Sequence, residues 1–256
     1  MDRGRVIAVI PARYGSTRFP GKPLTPLSGQ PMIAHVVARA LEAGCFAEVV
    51  VATDDDRIAA AARATGARAV ITGEAPTGTD RVAAAAREVA ADVVINLQGD
   101  EPAVPPENLR RLAHWLLDHP EAPAATLALP CLPADFDNPT VVKVVSDLAG
   151  RALYFSRAPI PFPRNPLSGA ARKHVGLYGF RSAALFTFAS WPECELERIE
   201  GLEQLRALAH GMAIQVLDAA GDSVAVDVPA DVPRAEAALA AMARAGSGAR
   251  GQGARR

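Results

Sequence analysis

The sequence predicts an α/β fold in which a doubly wound, mainly parallel sheet carries helices on both faces and a small inserted lobe. Three observations lead there. Aliphatic runs of strand length fall at residues 5–10, 47–52, 68–71 and 92–97. Alanine-rich stretches with helical spacing fall between and around them at 31–44, 55–65 and 78–90. The strand runs are also continuously apolar rather than alternating, and a strand apolar on both sides needs helices over both faces of its sheet.

In chain order, Pro31 follows Ser28-Gly29-Gln30 and suits the first turn of a helix. After Pro105-Pro106 a helix is expected through Trp115, then a strand near 124–130. From about 133 the rhythm changes. VVKVV at 141–145, RALYF at 151–155 and HVGLYGF at 174–180 surround a proline-rich PIPFPRNP, which reads as a small sheet or lobe over about 133–190. A helical run at 195–209, strands at 213–217 and 224–227 and a helix over about 231–243 return to the core. Residues 1–243 are thus one domain, and the tail 244–256 has nothing to bury and is expected to be disordered.

The chain has 256 residues and a formal net charge of -1, from 27 Lys+Arg against 28 Asp+Glu, so no whole-chain field attracts nucleic acid or an anionic membrane. Any polyanion must be met by a local site. Of the 50% hydrophobic residues, 53 positions are alanine, which favours helix more than it adds buried area. Cys45, Cys131 and Cys194 are odd in number and far apart, without zinc-type pairs or a disulfide framework. A reduced cytoplasmic setting is the expectation. The first apolar run is too short for a signal segment or a membrane span, so a soluble, uncleaved protein is expected.

Chemistry concentrates where strands end. In ARYGSTRFPGKP at 12–23, Gly15 and Gly21 let the backbone turn while Arg13, Arg18 and Lys22 bring positive charge to a strand-to-helix connection, where open α/β sheets bind ligands. Five residues separate the glycines and proline follows Lys22, so this is not a P-loop; a solvated cationic turn is the other reading. NLQGDEP at 96–102 places Asp100 and Glu101 at the end of another strand. A carboxylate there serves either magnesium, which needs few protein ligands beside substrate phosphates, or an Asx turn. In VAVDVP, Asp227 ends a short apolar strand before proline and is a candidate second magnesium carboxylate on the same logic, the sequence favouring neither that role nor a plain strand end.

Other features admit a plainer reading. His174 lies in a strand-like apolar run, as a sheet histidine or a site residue. Leu196, Ile199, Leu202 and Leu205 fall near one helical stripe with Glu203 and Gln204 off it. Asp54, Asp55 and Asp56 follow a strand, and Asp54 or Asp55 is expected to cap the next helix. The tail's Gly246-x-Gly248-x-x-Gly251 has no strand before it, and no early copy of the motif exists, which speaks against a dinucleotide oxidoreductase. Ser156 has no nucleophile elbow, and the histidines and cysteines have no metal spacing, so serine-esterase and zinc hydrolysis lack support.

IPARYGSTRFPGKPL, TGTDR, NLQGDEP, LYFSRAPIPFPR, KHVGLYGFR, LEQLRAL and VDVP occur in one order from about residue 5 to 240. In this series the chain resembles the bacterial 3-deoxy-manno-octulosonate cytidylyltransferase (CMP-Kdo synthetase) family. The resemblance implies a Rossmann-like fold of the nucleotide-diphospho-sugar transferase type and transfer of CMP from CTP to the anomeric hydroxyl of 3-deoxy-D-manno-octulosonate (Kdo), with release of pyrophosphate. It also implies Mg2+, a cytoplasmic homodimer joined through the segment around 140–180, and a place in lipopolysaccharide biosynthesis.

Residue by residue, the resemblance makes Arg13 and Lys22 triphosphate ligands, with Arg18 supporting their loop and Ala12 beside them. It puts Thr77, Gly78 and Arg81 in the cytidine pocket, Gln98 against nucleotide or sugar acid, and His174, Tyr178, Glu203 and Gln204 in the sugar-acid pocket. Asp100 and Asp227 become the magnesium carboxylates. Three departures stand out: Val228 and Ala230 replace Thr and Glu beside Asp227, Asp80 replaces Glu in TGTDR, and ECELE, which includes Glu195, replaces SPLE. These positions leave room for another acidic acceptor, such as a sialic-type sugar acid or a small phosphonate, or for a catalytically silent CTP-binding module.

Overall fold

A computed structural model describes residues 4–15, 19–165, 169 and 171–252, with the side chains of 245–252 excepted. The strands are β1 (Val6–Ala12), β2 (Pro26–Leu27), β3 (Gln30–Pro31), β4 (Glu48–Thr53), β5 (Arg68–Ile71), β6 (Val93–Asn96), β7 (Ala124–Pro130), β8 (Lys143–Ser146), β9 (Ala152–Ser156), β10 (Arg172–Arg181) and β11 (Ile214–Asp218). The helices are α1 (Met32–Ala43), α2 (Asp56–Arg63), α3 (Gly78–Ala86), α4 (Pro106–Asp118), α5 (Pro133–Phe136), α6 (Ser182–Ser190), α7 (Glu195–Glu200), α8 (Gln204–Ala209) and α9 (Val232–Gln252).

The main sheet runs β11-β7-β10-β6-β1-β4-β5. Strands β6, β1, β4 and β5 are parallel neighbours, and β11 is parallel to β7. Along β1, Val6, Ala8, Ile10 and Ala12 enter one core with Ile33, Val36 and Val37 of α1 and Leu109 and Leu112 of α4. Ile7 and Val9 enter the other, with Val82 of α3, Leu185 and Phe188 of α6 and Leu205 of α8. Both faces are therefore buried, as the continuous apolar strands require.

β10 departs from the expected architecture. It lies antiparallel between β6 and β7 inside the main sheet, and α6 packs behind it, so residues 172–190 belong to the core rather than to the lobe expected over 133–190. The physical reason is its composition: Val175, Leu177, Tyr178 and Phe180 are buried on both sides. What projects is the β8–β9 hairpin, grafted onto the start of β10 through Arg172 and Lys173. The fully buried Lys143 secures it by donating to the carbonyls of Asn138 (2.9 Å), Val141 (2.6 Å) and Arg157 (2.6 Å).

Three further expectations need correction. The helical run at 195–209 is two helices, because Gly201 adopts a left-handed φ of 63° between them. Leu196 and Ile199 are consequently exposed, while Leu202 and Leu205 are buried. The strand expected at 224–227 is irregular: Val226 donates one backbone bond to the Asp100 carbonyl at 2.9 Å and packs with Leu27, Met32 and Ala235. Finally, α9 does not stop near 243 but continues to Gln252 through Gly246, Gly248 and Gly251; residues 253–256 lie outside the described residues.

Parallel strands align their carboxyl ends. Ala12 pairs with Thr53 and Val9 with Asn96, so the segments after β1, β4 and β6 emerge on one sheet edge. The antiparallel β10 brings Tyr178 beside Asn96, placing its amino-terminal half on that edge too. Gly99 makes the approach possible, because a Cβ there would stand 2.5 Å from the Pro11 carbonyl oxygen. Gly99→Ala is expected to cost about 1–3 kcal/mol and to lower Tm by roughly 3–10 °C, measured by calorimetry.

Candidate active site

Two adjoining cavities occupy this edge. The first, of about 310 Å3, is lined by Ala12, Arg13 and Lys22 after β1, by Thr77, Gly78 and Arg81 at the start of α3, and by Gln98 and Asp100 after β6. The second, of about 370 Å3, includes His174 and Tyr178 of β10, Gln204 at the start of α8, Arg157 and Glu101. Gln98, Asp100, Glu203 and Asp227 line both. Every sequence-predicted site residue but one is thus brought into two connected spaces; Arg18 lies outside the described residues.

The cationic loop is anchored from several sides. Gly21, at φ 71°, donates its N–H to the Tyr14 carbonyl at 2.9 Å and turns the chain into the 3-10 turn Lys22–Leu24. A side chain at Gly21 would be strained by that φ and would meet the Tyr14 ring at 3.1 Å. Tyr14 donates its own N–H to Asp54 at 3.2 Å, and the Arg57 guanidinium stacks on its ring, 3.8 Å from the centroid. Asp54 also pairs with Arg81 at 2.8 Å, while Asp55 caps α2 by accepting the Arg57 N–H. Asp54 therefore fixes both loop and pocket arginine. Its position after β4, on the same edge as Arg13, is the signal that sequence reading left unused.

Lys22 Nζ lies 2.6 Å from Asp100 Oδ2 and 3.9 Å from Asp227 Oδ1. Asp227 is held despite the departures beside it. The Asp231 carboxylate, four residues downstream of Asp227, accepts the N–H groups of Asp227 (2.9 Å) and Val228 (3.1 Å). Next to Asp100, burial first and the Asp100 charge second push the Glu101 carboxyl up to about 8, and it accepts a hydrogen bond from the Ser223 hydroxyl.

The other departures also find partners. Thr77 caps α3 by accepting the Asp80 N–H at 3.1 Å and donates its hydroxyl to Asp80 Oδ2 at 2.9 Å; the shortened Asp80 remains 3.6 Å from Arg206. Cys194 caps α7 with its sulfur, 3.4 Å from the Glu197 nitrogen, and Glu197 forms a buried two-point pair with Arg206 at 2.6 and 2.8 Å. Glu195 sits in the first turn of α7 without altering this pair. In the second cavity, burial pushes His174 down to about 3 and Tyr178 well up, with the Glu203 charge adding to the latter. Arg157 reaches this cavity while donating to the Glu200 carbonyl at 2.9 Å; it follows β9 and had been assigned no role from sequence.

A family model for cytidylyltransferases matches residues 7–214. The chain belongs to the cytidylyltransferase family. It is 54% identical over 243 residues to 3-deoxy-manno-octulosonate cytidylyltransferase of Anaeromyxobacter sp. strain Fw109-5, covering 94% of this chain and 99% of that protein. The enzyme of the same name from Anaeromyxobacter dehalogenans strain 2CP-1 is 51% identical, covering 93% and 99%. Among solved structures, CMP:2-keto-3-deoxy-manno-octonic acid synthetase complexed with CTP superposes with a TM-score of 0.88 at 43% identity, covering 93% of this chain and 99% of that one. The fold of this cytidylyltransferase is therefore the mixed, mostly parallel α/β fold read from its strands.

Glu101 gives the metal-free protein a distinctive pH dependence. Its folded pKa lies above the unfolded value of 4.5, so below that value both states are protonated and nothing is lost. As pH rises, the unfolded chain releases its proton first, and folding stability falls until pH passes about 8. Urea denaturation from pH 5 to 9 is expected to show Glu101→Gln increasingly more stable than wild type over this interval. The difference is expected to level off above pH 8.

Proposed function

We propose that this cytidylyltransferase transfers CMP from CTP to the anomeric hydroxyl of Kdo and releases pyrophosphate. The observation that carries the reading is the pair of cavities meeting at Gln98, Asp100, Glu203 and Asp227. A transfer between two bound substrates needs such a junction, because the attacking oxygen must stand in line with the bond it breaks. The first cavity offers Arg13 and Lys22 to a triphosphate. The second offers Arg157 to a carboxylate, with Tyr178, His174 and Gln204 for hydroxyls.

In the reaction, the anomeric oxygen forms a bond to the α-phosphorus while the bond from that phosphorus to the bridging oxygen breaks. Pyrophosphate carries away the bonding electrons, and the hydroxyl proton is released. No protein nucleophile is needed. Lys22 balances charge on the phosphates, and Asp54 keeps Arg81 in place behind the nucleotide.

Asp100 and Asp227 fit Mg2+ by donor chemistry. They are two hard oxygen ligands on the wall between the cavities, already gathered around one cation, Lys22. Among the described residues no group of three or more His, Cys, Asp or Glu side chains forms a metal cage. Two carboxylates suffice for an ion that completes its shell with water and phosphate. When bound there, the ion supplies charge neutralisation and acidifies an oxygen attached to it.

The reading extends to a cytoplasmic homodimer. Among the described residues, no helix is long and apolar enough to cross a membrane. The hairpin lobe exposes Leu148 and Leu153, and Phe162 follows it at 84% exposure. Such apolar groups on one lobe are suited to burial against a second copy.

Purified protein with CTP and Mg2+ is expected to release pyrophosphate with Kdo and much less with a sialic acid or phosphonoformate. Release with one of the latter and none with Kdo overturns the acceptor assignment, and release with none supports the silent module. Asp100→Asn and Asp227→Asn are each expected to lower turnover by roughly 100-fold or more with near-normal folding. Full activity at saturating Mg2+ removes the assigned role. Sedimentation is expected to give a dimer for wild type and a monomer for Leu153→Glu.

A further inference from the structure

His174 lines the second cavity with one ring nitrogen committed elsewhere. Its Nε2 lies 2.9 Å from the hydroxyl oxygen of Thr126, a fully buried residue of β7 that is absent from the cavity wall. A hydroxyl can donate one proton, so the partner of that proton decides the protonation pattern of the imidazole.

The partner is a backbone carbonyl. The β7–β10 register runs from Leu127 opposite Val175 to Thr126 opposite Tyr178, so Gly176 and Leu177 form a bulge with no ladder partner on β7. The Leu177 carbonyl oxygen lies 2.8 Å from the Thr126 hydroxyl, and the Val175 carbonyl oxygen 3.4 Å. A carbonyl can only accept, and one buried at a bulge is costly to leave unpaired. The hydroxyl proton therefore goes to Leu177, and the oxygen is left to accept the Nε2–H of His174.

We infer that Thr126 is a positioning residue that holds His174 as the Nε2–H tautomer, leaving Nδ1 as a hydrogen-bond acceptor for a hydroxyl of the sugar acid. This rests on the Kdo-type acceptor reading for its ligand, but not for the tautomer. Phe155 meets the ring edge-on with centroids 5.0 Å apart, and Tyr178 tilts against it at 5.3 Å, so the ring plane is fixed as well as its proton. Burial keeps the imidazole neutral. A neutral Nδ1 lone pair attracts a hydroxyl proton and repels a carboxylate, so the acid end of the acceptor is directed away from His174. The pocket reads which end of the sugar enters it through a residue that never touches the sugar.

The test joins spectroscopy on the apoprotein with kinetics. In 15N-labelled apoprotein at neutral pH, His174, assigned by comparison with His174→Gln, is expected to show a pyrrole-type Nε2 and a pyridine-type Nδ1. Thr126→Ser is expected to preserve this pattern. Thr126→Val is expected to populate the opposite tautomer and to raise the acceptor KM about tenfold, with kcat and the CTP KM within about twofold. Nδ1 protonation in wild type overturns the inference, as does an unchanged tautomer and acceptor KM in Thr126→Val. If Thr126→Val does not fold, wild type and Thr126→Ser still decide the tautomer. If Kdo is not turned over, the acceptor reading fails while the spectroscopic result stands by itself.

Discussion

The site depends on one cation between two carboxylates that are far apart in the chain. Lys22, Asp100 and Asp227 come from segments separated by 78 residues in one case and more in the other, and all three meet at the carboxyl edge of the sheet. The charges of the two partly exposed carboxylates repel one another, and, after burial, they help to keep the neighbouring Glu101 carboxyl protonated up to about pH 8. Lys22 places the opposite charge between them, and at an effective dielectric of about 20 such an attraction at 4 Å is about 4 kcal/mol before desolvation. Much else in the fold serves this contact. The turn at Gly21 aims Lys22, the close approach of Gly99 to Pro11 sets Asp100, and Val226, buried with Leu27 and Met32, seats Asp227.

Much of this was legible in the residues. Strands β1, β4, β5 and β6 announce themselves as continuous aliphatic runs, and the rule that ligands gather beyond their carboxyl ends located Arg13, Lys22 and Asp100 without side-chain coordinates. The seating of Asp227 was less legible. VAVDVP has the pattern of a strand, but a strand needs a neighbour, and the segment has one backbone bond to Asp100 in place of a ladder. The extent of the lobe failed for a related reason. An apolar run does not say whether it lies at an edge or inside a sheet, and β10 lies inside. Gly201 was visible as a glycine, yet only its left-handed backbone reveals that it divides one amphipathic run into two short helices.

At the departures from the family pattern, the residues present satisfy backbone groups and charges of their own surroundings. With Val at 228 and Ala at 230, the Asp227 and Val228 N–H groups are both answered by Asp231. At 194 a cysteine sulfur performs a cap that an oxygen performs better. Asp80 is hydrogen-bonded with Thr77 and lies 3.6 Å from Arg206, whose nearer partner is Glu197 at 2.6 Å. None of Asp80, Cys194, Glu195, Val228 and Ala230 lines either cavity.

The place of β10 between β6 and β7 also bears on how the chain becomes a sheet as it is made. Until residue 181 has left the ribosome, β6 is an open margin whose four residues are all buried in the finished protein. The half of the sheet built from β6, β1, β4 and β5 can assemble early, but its margin stays unpaired while more than 80 further residues are synthesised. The second cavity lacks its wall of His174 and Tyr178 over the same interval, because that wall is the strand that closes the margin, and both cavities wait further for Glu203 and Asp227. In this protein the last strand to enter the middle of the sheet ends the margin's exposure to misassociation and, in the same event, brings one wall of the second cavity into place.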